Sequence, residues 1–68
     1  MRWIDVEEIA EALEENYPYE DIANIRFTTL HEYITELLDF DDDPSRSNER
    51  ILEAIQSAWL EIREENEE

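Results

Sequence analysis

The chain contains no cysteine and no glycine, and it has only one histidine and two prolines. Without cysteine it cannot form disulfides, thiolate metal sites or cysteine-ligated iron–sulfur clusters of its own. A single histidine argues against a histidine-based zinc site, and the lack of glycine excludes a P-loop or a dinucleotide-binding glycine motif. No apolar run approaches the roughly 20 residues needed to span a bilayer, and no signal pattern opens the chain. We therefore expect a cytoplasmic protein that does not enter a membrane.

Charge of one sign dominates what the chain does contain. It carries 21 acidic residues against five basic ones, and its formal net charge is -16 at pH 7. Such a surface is repelled by nucleic acids and by anionic membranes. A basic protein surface or divalent cations are therefore the expected partners. Because 41% of the residues are apolar and recur at helical spacing, we expect a folded, monomeric single domain rather than a disordered chain.

The first helix has a clear start signal. Asp5 is a good N-cap, and Glu8 three positions later completes a capping-box pair. Ile4 and Ile9 occupy the two positions of a hydrophobic staple. Pro18 ends the helix. The predicted apolar face comprises Val6, Ile9, Ala10, Leu13 and Tyr17.

A short turn and a middle helix are predicted next. Asp21 is placed to cap one turn at 22–24, and an extended connector follows it. Thr28 or Thr29 is the predicted N-cap of the middle helix. The predicted buried face of this helix comprises Leu30, Ile34, Leu37 and Leu38.

The last helix is predicted to begin after Ser47 or Ser45 as its N-cap. Its apolar stripe comprises Ile51, Leu52, Ile55, Ala58, Trp59, Leu60 and Ile62. We expect residues 1–62 to form a single acidic helical domain, and residues 63–68 to form an acidic tail that frays. The fold class is therefore all-α, with three to four helices in a helix-turn-helix-like arrangement.

The most unusual segment is the acidic run between the last two helices. Four carboxylates fall within five positions, and crowding like charges in this way is costly. An EF-hand alignment places Asp39, Asp41 and Asp43 in its first three ligand positions. It then fails, because Pro44 occupies the glycine position and Arg50 the final glutamate position. A weak, open cation site, a docking surface and a solvated loop all remain compatible with the run.

Other residues can extend or complete this site. Glu49 and Glu53 lie one helical turn apart, directly after the run, and can continue its negative surface. His31 is a weaker candidate ligand near the start of the middle helix. Trp3, which precedes the first cap, is expected to be only partly covered. No pairing of a nucleophile with a base can be recognised, so we expect a protein that is not an enzyme.

Several of these segments together resemble a known family. They are Arg26-Phe27-Thr28 with His31, Leu38-Asp39-Phe40-Asp41-Asp42-Asp43-Pro44, Ser47-Asn48-Glu49, Ile51-Leu52-Glu53-Ala54-Ile55 and Trp59-Leu60. The chain closely resembles the IscX (YfhJ-like) family, small acidic accessory proteins of bacterial iron–sulfur cluster assembly. The similarity extends from Trp3 to about Glu61.

The resemblance implies a helical domain of modified winged-helix type. It implies binding to a basic surface of the cysteine desulfurase, in competition with frataxin-like proteins and ferredoxin, and weak binding of ferrous iron. The positions that carry over as partner-binding residues are Asp39, Asp41, Asp42, Asp43, Glu49 and Glu53. The positions that carry over as candidate iron ligands are Asp39, Asp41, Asp42, Asp43, Glu49 and, more weakly, His31.

Three hypotheses about function follow. The first is an adaptor that docks its acidic surface on the desulfurase and modulates cluster formation. The second is a stand-alone carrier or buffer of divalent cations, iron first, with no dedicated protein partner. The third is a mimic of nucleic-acid charge, which should bind basic proteins broadly instead of preferring one.

Overall fold

The structure, a computed structural model, describes residues 1–66, and its regular elements are all helical. Its order is α1 (Val6–Asn16), a 3-10 turn (Ile22–Asn24), α2 (Phe27–Thr35), a second 3-10 turn (Pro44–Arg46) and α3 (Glu49–Asn66). These residues contain no strand. The all-α prediction is therefore confirmed, and any likeness to a winged helix is limited to its helices.

A single apolar core joins the three helices. α1 packs mainly against α3, and α2 contacts both. The core contains no buried polar side chain among the described residues. Its members are Trp3, Ile9, Ala10, Leu13, Ile22, Leu30, Ile34, Leu37, Leu52, Ile55 and Trp59. Burial of these side chains, more than the propensity of short helices, holds the domain together.

The start of α1 only partly follows its predicted signal. Asp5 occupies the N-cap position, but its carboxylate makes no capping bond to the helix. It accepts a hydrogen bond from the backbone N–H of Arg2 at 2.9 Å instead. Ile4 is 80% exposed, so the predicted hydrophobic staple is wrong. Ile4 lies in a turn before the helix, which is closed by the hydrogen bond from the N–H of Asp5 to the Arg2 carbonyl at 2.9 Å.

The caps predicted for α2 and α3 are also wrong. α2 begins at Phe27, which packs against the core, so both candidate threonines lie inside the helix. α3 is capped by Asn48, whose Oδ1 accepts a hydrogen bond from the N–H of Ile51 at 2.9 Å. Ser45 cannot serve α3, because its N–H and hydroxyl both donate to Asp43. Packing of Phe27 against the core determines where α2 begins, and the side chain of Asn48 determines where α3 begins.

The end of α2 differs from prediction in a way that matters for the surface. The helix ends at Thr35, although its apolar pattern continues to Leu38. Leu37 is buried as predicted, at 8% exposed, but Leu38 is fully exposed, so its predicted burial is wrong. The carbonyl of Leu37 accepts a hydrogen bond from the N–H of Phe40 at 3.1 Å, which closes a tight turn. Leu38 lies at the tip of that turn.

α3 extends beyond the predicted domain boundary at 62 and ends at Asn66. Arg63 Nε donates to Glu14 Oε1 at 2.8 Å, and its guanidinium also donates to the carbonyls of Tyr17 and Glu20. Trp59 Nε1 donates to the same Glu14 oxygen at 3.0 Å. Burial raises the pKa of Glu14, but these donors outweigh it and lower the pKa overall. Arg63 therefore ties residues 63–66 to α1; the rest of the predicted tail lies outside the described residues.

Candidate functional site

The acidic loop, residues 39–43, is bound to the N-terminal segment of the chain. The backbone N–H of Trp3 donates to Asp42 Oδ2 at 3.2 Å, and its indole N–H donates to the carbonyl of Asp43 at 2.8 Å. The N–H of Asp41 donates to the carbonyl of Met1 at 3.0 Å. The Met1 amino group adds hydrogen bonds to the Asp39 carbonyl and to Asp41 Oδ1, so five bonds across some 40 residues of sequence fix the loop. The sequence gives no local signal for this pairing.

Trp3 also forms the apolar support of the loop. Its side chain is only 2% exposed, so the prediction that it would be partly covered is wrong. Its ring stacks on His31, with 5.5 Å between ring centroids, and meets Phe40 edge-on at 4.8 Å. The aromatic residue inside the acidic run therefore anchors the loop to the domain.

His31 contacts the far end of the same loop. Its Nε2 lies 2.7 Å from the carbonyl oxygen of Pro44. Because a carbonyl oxygen can only accept, Nε2 carries the proton and donates it. This bond engages one of the two ring nitrogens of His31.

Two of the predicted site carboxylates bond to the backbone of the loop. Asp42 accepts from the N–H of Asp43 at 2.7 Å as well as from Trp3. Asp43 accepts from the N–H and the hydroxyl of Ser45 at 2.9 and 2.8 Å, and so caps the second 3-10 turn. The backbone N–H donors of Asp43 and Trp3 lower the pKa of Asp42. The N–H of Ser45 lowers the pKa of Asp43 in the same way. Both carboxylates therefore stay ionised to a lower pH than an ordinary aspartate does.

The remaining predicted carboxylates are directed to solvent. Asp39, Asp41, Glu49 and Glu53 are all exposed. Asp41 lies 3.2 Å from the amino group of Met1. The side chains of Asp39, Glu49 and Glu53 make no hydrogen bond or ion pair within residues 1–66. Their charges are available to a partner without breaking any contact of the domain.

The start of α3 carries two of these carboxylates. Glu49 and Glu53, one turn apart, border a shallow depression of about 450 Å³ together with Arg50, Ala54 and Ser57. The predicted acidic positions therefore lie in two segments, the acidic loop and the first turns of α3, which are joined through the 3-10 turn at Pro44–Arg46. We refer to Asp39, Asp41, Glu49 and Glu53 as the open carboxylates.

The predicted metal ligands do not converge on one point. No group of three or more histidine, cysteine, aspartate or glutamate side chains in the described part of the chain is arranged to hold a metal ion. The loop explains why, since Asp42 and Asp43 bond to the backbone and His31 bonds to Pro44. Crowding of carboxylates along the sequence has produced a structured loop with an exposed charged rim. A role of these residues as iron ligands stays a prediction.

Within the described residues, no helix is long and apolar enough to cross a membrane. A family model described as iron–sulphur cluster assembly matches residues 1–64. The uncharacterized protein PA3808 of Pseudomonas aeruginosa is 47% identical over 64 residues, which is 94% of this chain and 97% of that protein. Both matches include all of the acidic loop and the start of α3. The chain belongs to the iron–sulphur cluster assembly family of IscX (YfhJ-like) proteins.

Proposed function

We propose that this protein is an adaptor of iron–sulfur cluster assembly that binds a basic surface of the cysteine desulfurase through its open carboxylates. Membership of the family supports the role in cluster assembly. The observation that carries the finer proposal is the state of Asp39, Glu49 and Glu53. They are exposed and have no internal partner among the described residues, and Asp39 lies on a loop that is itself firmly held.

The arrangement suits docking for two physical reasons. A rigid loop loses little conformational freedom on binding, so more of the interaction energy appears as affinity. A surface of one sign also steers a basic partner and discriminates against acidic ones. The protein would act by occupying the desulfurase surface, where frataxin-like proteins and ferredoxin would compete with it, and by modulating sulfur transfer without catalysing a reaction.

Ferrous iron binding belongs to the same proposal, in a weak form. Carboxylate oxygens are suitable ligands for Fe²⁺. The described residues offer no preformed site, so an ion would have to recruit flexible side chains such as Asp39 or Glu49. We expect low affinity and competition between the ion and the protein partner. An anaerobic Fe²⁺ titration followed by amide chemical shifts tests this, and stoichiometric, tight binding without the desulfurase would favour the cation-carrier hypothesis instead.

The test of the adaptor proposal is calorimetric binding to the cysteine desulfurase of the same organism. The variant Asp39→Asn/Glu49→Gln/Glu53→Gln removes three open carboxylates and no hydrogen bond of the domain. The matched control removes three exposed glutamates from α1, away from the acidic loop, through the substitutions Glu7, Glu8 and Glu11 to Gln. Both variants change the net charge equally, so a difference between them reports where the partner binds.

We expect this open-carboxylate variant to bind the desulfurase about 10-fold or more weakly than the α1 control variant, since each charge pair at a desolvated interface contributes about 1 kcal/mol or more. Raising the salt concentration should weaken wild-type binding and reduce the difference. Equal affinities for the two variants would refute docking through this surface. Binding of similar strength to an unrelated basic protein such as cytochrome c would favour the charge-mimic hypothesis.

A further inference from the structure

A second surface feature lies beside the open carboxylates. The C-terminal ends of α1 and α2 and the turn after α2 enclose a groove of about 330 Å³. Its apolar wall includes Ala12, Leu37 and Leu38, and its acidic rim is formed by Glu15, Glu36 and Asp39. Asp39 belongs both to this groove and to the open carboxylates. The groove is therefore continuous with the surface proposed to dock the desulfurase.

Leu38 projects fully into solvent at the edge of this groove. It is 101% exposed, in a chain that buries most of its other large aliphatic side chains. Both ends of its turn are fixed, since Leu37 is in the core and Phe40 packs on Trp3. The hydrogen bond from Phe40 N–H to the Leu37 carbonyl closes the turn. An exposed leucine held on a rigid turn contributes nothing to the fold of this domain and is well placed to enter an apolar pocket on another molecule.

The electrostatics of the groove select a cationic occupant. α1 and α2 both end here, and neither has a basic residue in its last turn. The Met1 amino group also lines the groove but is engaged by the Asp39 carbonyl and Asp41, and Arg63 covers the Tyr17 carbonyl at the end of α1. The negative charge left for an occupant is therefore that of the α2 C-terminus and of Glu15, Glu36 and Asp39. All three carboxylates are exposed and make no ion pair within residues 1–66. An arginine or lysine side chain matches both walls, because its aliphatic stem can lie on Leu37 while its charged head meets the carboxylates.

We infer that this groove receives a basic segment of the protein partner, with Leu38 inserted into an apolar pocket beside that segment. The inference rests on the proposed function and adds an apolar anchor to what would otherwise be a purely electrostatic contact. It also divides the interface into two parts. The open carboxylates would set the rate of encounter and its salt dependence, whereas Leu38 would set how long the complex lasts.

Other occupants fit the groove less well. A second copy of this chain would bring a further net charge of -16 to the same place, and the two copies would repel each other. Nucleic acid and anionic lipid are excluded by the same sign of charge. A metal ion would leave the exposed Leu38 without a role. A basic protein segment accounts for the charge and for the leucine together.

The experiment measures desulfurase binding and dissociation for Leu38→Ser, with Ile4→Ser as the matched control. Ile4 is the other strongly exposed aliphatic residue, and it lies outside the groove. Neither substitution removes a core contact, so both variants should fold as the wild type does. We expect Leu38→Ser to weaken binding roughly 10- to 100-fold through faster dissociation, as the loss of one buried leucine predicts. Ile4→Ser should stay within about 2-fold of wild type.

The outcomes separate the inference from the proposed function. If the open-carboxylate variant loses affinity but Leu38→Ser does not, the anchor is refuted and the adaptor proposal stands. If the wild type does not bind the desulfurase at all, both are refuted. If Leu38→Ser abolishes a self-association of the free protein seen by sedimentation, the assigned occupant is wrong and a second copy takes its place.

Discussion

Replacing Trp3 with Phe should loosen the acidic loop while leaving the rest of the domain folded. The substitution removes the indole N–H that donates to the Asp43 carbonyl at 2.8 Å. It also removes part of a ring that is 2% exposed and packs against His31 and Phe40. The loop would keep its backbone bonds to the N-terminal segment but lose its most central support.

Each lost contact lowers the free energy of unfolding. A lost neutral hydrogen bond costs about 1 kcal/mol, and the smaller ring leaves a cavity that costs about 1–2 kcal/mol. A domain of this length is stable by about 3–10 kcal/mol in total. A loss of about 2–3 kcal/mol is therefore large but survivable, and it should lower the melting temperature by about 10–20 °C.

Trp59→Phe is the matched control. Trp59 is equally buried and also donates its indole N–H, in this case to Glu14 at 3.0 Å and far from the loop. We expect similar losses in urea unfolding for the two variants. Only Trp3→Phe should speed hydrogen exchange at the amides of Asp41 and Asp43 beyond its effect on global stability, and only it should weaken desulfurase binding. Equal loop exchange in the two variants would refute the view that Trp3 orders the loop.

Three further outcomes test the framework of the domain. Arg63→Gln should destabilise the protein by about 2–3 kcal/mol in urea unfolding, because its ion pair with Glu14 is mostly buried, whereas exposed Arg50→Gln should cost less than about 0.5 kcal/mol. The pKa of Glu14 is lower in the folded protein than its unfolded value of 4.5, so its ionised form stabilises the fold above pH 4.5. This contribution should disappear as the pH falls below 4.5. Glu14→Gln should remove that part of the acid dependence, and an unchanged pH profile would contradict it. Leu37→Ala should cost about 2–3 kcal/mol and Leu38→Ala almost nothing, a contrast that circular dichroism melts can detect.

The helices and most of the core could be predicted from the sequence. Apolar residues at helical spacing identified the packed faces of all three helices, and the predicted turn at 22–24 is present as the 3-10 turn Ile22–Asn24, although Asp21 makes no side-chain capping bond to it. The exact helix ends could not be predicted. Ser, Thr, Asp and Asn are all acceptable caps, and tertiary contacts choose among them. Two consecutive leucines, Leu37 and Leu38, follow the apolar pattern of α2, and that pattern does not indicate that only Leu37 is buried.

The candidate site was predicted as a composition but not as an arrangement. The acidic run and its continuation at Glu49 and Glu53 were visible in the sequence, and these side chains are exposed. The support from Trp3 was not, because it joins residues some 40 positions apart through backbone and indole bonds. That pairing divides the acidic residues into those that build the loop, Asp42 and Asp43, and those free to meet a partner. Periodicity and local motifs carry no information on such a long-range contact.

The central claim is that the partner meets the acidic loop and the start of α3. Its most direct test is a titration of ¹⁵N-labelled protein with unlabelled desulfurase, followed by amide chemical shifts and line broadening. The account predicts that the largest changes cluster at residues 36–43 and 49–53 and diminish with added salt. Changes centred on the exposed face of α1, around Glu7 and Glu11, with the loop unaffected, would contradict it.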